Sequence, residues 1–253
     1  MQRVVAHFQR DPEVRALILG GSLAHGFARP DSDIDILIVV SGRDYQARRQ
    51  EGRLTFFSRE LCTYDSGYAD GKYLDVDFLR RVAAQGSEPA RFAFADARVL
   101  FSQVDGLAEL VREIARYPAQ DKVNRIRRFH AQLDAWNWFT GETLKLGDPY
   151  LLGVAVSKLA LFGGRLILAH NELLYPYHKW FLKVLETAKD RPRDLLPRIR
   201  ALYEDPSREN IRLFYETVKN FREWETPDTA WPMQFMADNE LTWMNGFTAI
   251  DDL

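Results

Sequence analysis

The residues best suited to chemistry fall in one short stretch: Gly20-Gly21-Ser22, a spacer of ten residues, then Asp33-Ile34-Asp35. Glycines at the end of a strand let a ligand approach the backbone where a side chain would block it. Ser22 stands where a helix would begin, so its hydroxyl and the free N–H groups beside it suit a phosphate. Asp33 and Asp35 are two apart on a strand-like run, which aims both carboxylates at one face. Like charges that close are costly unless a cation sits between them. Mg2+ binds through a few carboxylates plus substrate phosphates. A second acidic pair, Asp75 and Asp77 in Lys72–Leu79 (KYLDVDFL), again alternates onto one face. If that run lies beside the first, three or four carboxylates converge, as in a two-metal site. A phosphate cradle and a carboxylate pair joined by one turn describe a site for a nucleoside triphosphate.

The elements that must hold these groups are readable from patterning. Ala16–Gly20 (ALILG) is a compact apolar run ending in glycine, the pattern of a buried strand. Asp33–Val40 (DIDILIVV) reads as a second strand, Lys72–Leu79 as a third by its period of two, and Ala97–Ser102 as a fourth. A short helix over 2–10, weak helical character over 43–62 and a hairpin-like loop around Gly67 and Gly71 fill the intervals. Beyond residue 104 the texture changes. Helical spacing runs through 105–116, 121–141, 150–170, 176–189, 193–204 and 207–224, with breaks at Pro118, Gly147-Asp148-Pro149, Pro192 and Pro206, and no strand candidate. The pattern predicts an α+β protein: an N-terminal α/β domain with a small mixed sheet over 1–110, then an all-helical domain over 111–253. The boundary is expected between Ser102 and Gln120.

Composition narrows the class. The 253 residues are 46% hydrophobic and 28% charged, which supplies the apolar mass a disordered chain lacks. Lys and Arg number 34 against 36 Asp and Glu, a net charge of −2. A general nucleic-acid binder shows a basic excess, so that class is disfavoured. The single Cys62 excludes an intrachain disulfide and a cysteine-based zinc site. The opening MQRVVAHFQRDPEV has no apolar run of signal-peptide type. Apolar runs such as Ile34–Val40 fall far short of the ~20 residues that span a bilayer. A cytoplasmic chain with no membrane partner is expected.

The stretch GGSLAHGFARPDSDIDILIVV resembles the signature of the DNA polymerase β-like nucleotidyltransferase superfamily: a Gly-Ser turn, a spacer of about ten, and Asp-hydrophobic-Asp on a strand. The resemblance covers 17–40, with support from 72–79. The helical second half is similar to the small-molecule branch, which includes aminoglycoside and lincosamide nucleotidyltransferases. The resemblance implies transfer of a nucleoside monophosphate, AMP from ATP being the expected pair, to a hydroxyl of a small acceptor, with release of pyrophosphate. It further implies that Gly21 and Ser22 hold the β- and γ-phosphates and that Asp33 and Asp35 bind two Mg2+ ions. Asp75 or Asp77 would be the third carboxylate, as a metal ligand (Asp77) or as the group that takes the acceptor proton. Alternatives are nucleotidylation of a protein or RNA end, and a non-catalytic nucleotide-binding or antitoxin-like module. Intact Asp33 and Asp35 speak against the silent module.

In the helical half, Lys179 in LYPYHKWF is either a solvated helix lysine or a triphosphate contact, and Lys158 is a similar candidate. Arg125–His130 (RIRRFH) has the Arg–four–His spacing of HEPN-type ribonucleases and equally that of a basic helix face. The aromatic runs at 136–139 and 180–181 read as helix packing. The acceptor is expected in a cleft walled by Ser22, Asp33 and Asp35 on one side and helices from 121–141 and 150–182 on the other.

Overall fold

The computed structural model describes residues 1–64 and 66–248. The chain forms two compact units, Met1–Tyr117 and Pro118–Leu253. The first is α+β and carries a five-stranded mixed sheet. Its elements are α1 (Gln2–Gln9), β1 (Val14–Leu19), α2 (Gly21–His25), β2 (Ile34–Val40), α3 (Gly42–Gln50), β3 (Thr55–Ser58), β4 (Ala69–Leu74), α4 (Val76–Gln85), α5 (Glu88–Phe92), β5 (Arg98–Ser102) and α6 (Leu107–Ile114). The strand order is β3-β4-β2-β1-β5. Strands β2 and β4 run parallel, and the other neighbours run antiparallel.

Strand alternation divides the side chains between two layers. On one face Leu17, Leu19, Ile34, Ile36 and Ile38 meet Val4 and Phe8 of α1. On the other, Ala16, Ile18, Val39 and Leu74 are covered by Leu79 and Val82 of α4 and by Leu107, Val111 and Ile114 of α6. Buried Arg91 joins three helices by donating to the carbonyls of Gly86 (3.1 Å), Ala83 (2.6 Å) and Ile114 (3.3 Å).

The third strand departs from expectation. It covers Ala69–Leu74, not Lys72–Leu79, and the second half of the KYLDVDFL alternation is helix. Asp75 is the reason. Its carboxylate accepts the Phe78 N–H at 2.7 Å, the bond of an N-cap, which turns the chain out of the sheet and starts α4. Leu79 and Val82 then fall on one helical stripe facing the core. The strand begins early because Gly71 belongs to it: a Cβ there would stand 2.8 Å from Ile36 Cγ1 and 2.9 Å from Ile36 O. Residues 43–62 hold both α3 and the short edge strand β3.

The second unit is helical. It contains α7 (Lys122–Leu146), α8 (Pro149–His170), α9 (Phe181–Glu186), α10 (Leu195–Glu204), α11 (Arg208–Lys219) and α12 (Trp231–Asn239). Helix α8 packs on α7, α9, α10 and α11. Contrary to the reading of short apolar runs, α8 has 22 residues and contains an 18-residue window of mean hydropathy 1.8, long and apolar enough to cross a membrane by length and composition alone; half of that window is buried inside the protein. Leu159, Leu166 and Ile167 are fully buried there, the pattern of a core helix.

Candidate active site

The site is built at one end of the sheet. Strand β1 ends at Leu19, and the Gly20 N–H donates to the Asp35 carbonyl at 3.0 Å, tying the turn to β2. Gly21 then adopts φ +62°, a conformation glycine takes at no steric cost. Space demands glycine as well: a Cβ on Gly21 would stand 1.8 Å from Asp35 Oδ2. The Asp35 carboxylate therefore lies directly against the turn. Ser22, in the first turn of α2, is 7% exposed, and its Oγ has no hydrogen-bond partner among the described residues. A hydroxyl held that way retains an unused donor.

Asp33 and Asp35 share the sheet face that carries Val39. The parallel register pairs Asp35 of β2 with Asp70 of β4, and the antiparallel register pairs Asp70 with Phe57 of β3. Paired residues point to the same side, so Asp35, Asp70 and Phe57 form a row across three strands. The α4–α6 layer covers the far end of this face and leaves the row open; Asp70 is exposed and Asp33 and Asp35 are half-buried. Tyr68 reports on the charge here. Its hydroxyl donates to Asp33, and that bond, followed by the Asp33 charge, desolvation and the charges of Asp70 and Asp35, raises its pKa above the ordinary 10.0. Tyr64 closes the other side of the loop by donating to the Ser32 carbonyl at 2.5 Å. Lys72, one pleat from Asp70 on the same face, is exposed.

Asp75 and Asp77 do not join this group. Asp75 lies five positions beyond Asp70 along the chain, about 17 Å at strand rise. Asp75 is 5% exposed and caps α4, and Asp77 is exposed and paired with Arg80 at 2.9 Å. The carboxylate that neighbours Asp35 is Asp70. Sequence reading missed it because Gly67 and Gly71 looked like loop punctuation. The available signal was Ala69-Asp70-Gly71-Lys72, whose alternation is in phase with Leu74.

Among the described residues no three His, Cys, Asp or Glu side chains form a ready-made metal cluster. The donor set still suits Mg2+, which commonly takes one or two carboxylates and completes its shell with substrate phosphates and water. Asp33 and Asp35 are oxygen donors on one face, the Asp35 carboxylate lies directly against the Gly21 turn, and the Ser22 Oγ beside it has no hydrogen-bond partner among the described residues.

The other candidates lie elsewhere. In the second unit Lys179 is exposed in a short 3-10 turn, 5.1 Å above the Trp180 ring. Lys158 is exposed on α8. His130 is buried at 4% exposure and accepts from Lys219 at 2.9 Å, so RIRRFH does not present a surface histidine beside its arginines. Trp136 and Phe139 pack on Phe235 of α12.

A turn that admits only glycine, set against a carboxylate pair on a mixed sheet, is the layout of a nucleotidyl-transfer site. The nucleotidyltransferase domain family matches residues 2–133, and the chain belongs to that family. It is a nucleotidyltransferase enzyme. A nucleotidyltransferase-like protein from Exiguobacterium sibiricum 255-15 is similar in structure, with 11% identity, a TM-score of 0.48, and coverage of 100% of this chain and 82% of that one. No curated protein matches the sequence.

Proposed function

We propose that the protein transfers AMP from ATP, with Mg2+, to a hydroxyl of a small acceptor, as in the small-molecule branch of the superfamily. The observation that carries this reading is the Asp35–Asp70 pair across β2 and β4, with Asp33 just before β2, beside the glycine-only turn at Gly21. Gly21 and Ser22 take the β- and γ-phosphates. Asp33 and Asp35 hold the divalent ion, which when bound offsets negative charge on the α-phosphate. Asp70 receives the acceptor proton as the acceptor oxygen bonds to the α-phosphorus and the bond to pyrophosphate breaks. Lys72 adds a positive charge on the same face. The net charge of −2 favours a small acceptor over RNA.

The test is a calorimetric titration of each common NTP with and without Mg2+, followed by pyrophosphate release over an acceptor library. ATP binding that needs Mg2+, and turnover abolished in Asp35→Asn, is the expected result. Equal turnover in Asp35→Asn and wild type would sink the reading.

A further inference from the structure

We infer that the acceptor docks on the β3 edge of the sheet, with a ring face, aromatic or sugar, laid on Phe57. The inference rests on the nucleotidyl-transfer reading and adds to it the side of approach and the class of acceptor. The sheet order places β1, with Gly21 and Ser22 after it, on one side of β2, and β4 and β3 on the other. In-line displacement puts the attacking and leaving oxygens on opposite sides of the phosphorus. With the leaving pyrophosphate over Gly21 and Ser22 and the α-phosphate over Asp33 and Asp35, attack comes from the side of Asp70. The residue paired with Asp70 on that side is Phe57.

Phe57 is otherwise hard to explain. It is 59% exposed on an edge strand, while its neighbour Phe56 takes the core position against Phe8, with ring centroids 4.9 Å apart. The Phe57 ring is steadied by Tyr68 at 5.2 Å and 33°, the same tyrosine that donates to Asp33, and Arg59 flanks it at 6.0 Å. Interstrand spacing sets the Asp70 and Phe57 backbones about 5 Å apart. An acceptor with its hydroxyl on a ring, or one or two bonds from it, spans that interval: the hydroxyl reaches Asp70 while the ring covers Phe57. A ring-free alcohol leaves Phe57 in water and has nothing to hold it there.

The experiment is saturation-transfer NMR on the full chain with Mg2+ and the unreactive α,β-methylene-ATP. The probes are uridine, N-acetyltyrosinamide, methyl glucoside and ring-free glycerol. At least one ring alcohol should bind and glycerol should not. Phe57→Ala, which leaves the core untouched and should melt like wild type, should weaken that binding at least about tenfold, the scale of one lost stacking contact. Its affinity for α,β-methylene-ATP should not change. Uridine or N-acetyltyrosinamide binding assigns a flat ring, and methyl glucoside binding a sugar. The inference fails if no ring alcohol exceeds glycerol, if Phe57→Ala binds the ring as well as wild type does, or if Phe57→Ala instead weakens the ATP analogue, which would make Phe57 a base platform. Failure of wild type to bind the analogue with Mg2+ would instead bring down the nucleotidyl-transfer reading beneath it.

Discussion

Gly21 and Asp35 constrain each other. The carboxylate occupies the volume a Cβ would need, and the backbone there sits at φ +62°. Gly21→Ala therefore has two penalties, backbone strain and displacement of the Asp35 carboxylate. It should lose at least about a hundredfold in turnover, the scale of a few kcal/mol, while circular dichroism shows an intact fold. The acids separate cleanly as well. Asp70→Asn should depress pyrophosphate release by a similar factor, and Asp77→Asn, altering only an exposed pair with Arg80, should leave it unchanged. Equal losses in the two variants would contradict the strand register as the basis of the site. Neither Asp70 nor Phe57 was legible as a site residue, because each matters only through its partner across the strand.

At the scale of elements, the junction of β4 and α4 decides which carboxylates meet. Asp75 looks identical to Asp35 in sequence context, an acid between apolar residues. Its carboxylate instead serves the Phe78 N–H. Asp75→Ala should cost about 1 kcal/mol in urea denaturation, the usual value of an N-cap, with turnover retained. A loss of turnover with unchanged stability would restore a catalytic role to Asp75. Strand β3 escaped the sequence reading for a related reason. TFFS is four residues on an edge, with one phenylalanine in the core and one outside, too short for periodicity to register.

For the whole molecule, a part-buried polar cluster around buried His130 in the helical unit makes stability depend on pH. His130 lies in α7 with Lys219 Nζ at 2.9 Å, and Lys219 is 2.8 Å from both Asp134 oxygens, one of which also accepts from the Tyr215 hydroxyl. Burial above all, with the Lys219 charge, holds His130 below its ordinary 6.5, and Asp134 opposes them. Burial and Asp134 push Tyr215 up. The unfolded chain thus takes up a His130 proton near pH 6.5 that the folded protein refuses. Stability is full above that value and declines as pH falls below it toward the depressed folded pKa. Urea denaturation at pH 7.5 and 5.5 should show the loss, and His130→Gln should shrink the difference; an equal difference in the variant would place the effect elsewhere. What the sequence determined by itself was local: the strands at 16–20 and 33–40, the Gly-Ser turn, the same-face pair Asp33 and Asp35, and the change to helix after residue 104, all set by side-chain periodicity and backbone preference within a few residues. Tertiary structure alone decided that Asp70 stands beside Asp35, that Phe57 completes the row, and that Asp75 and Asp77 belong to a helix start. Strand register and capping depend on which chain segments meet, and Gly71 fits β4 only because Ile36 lies against it.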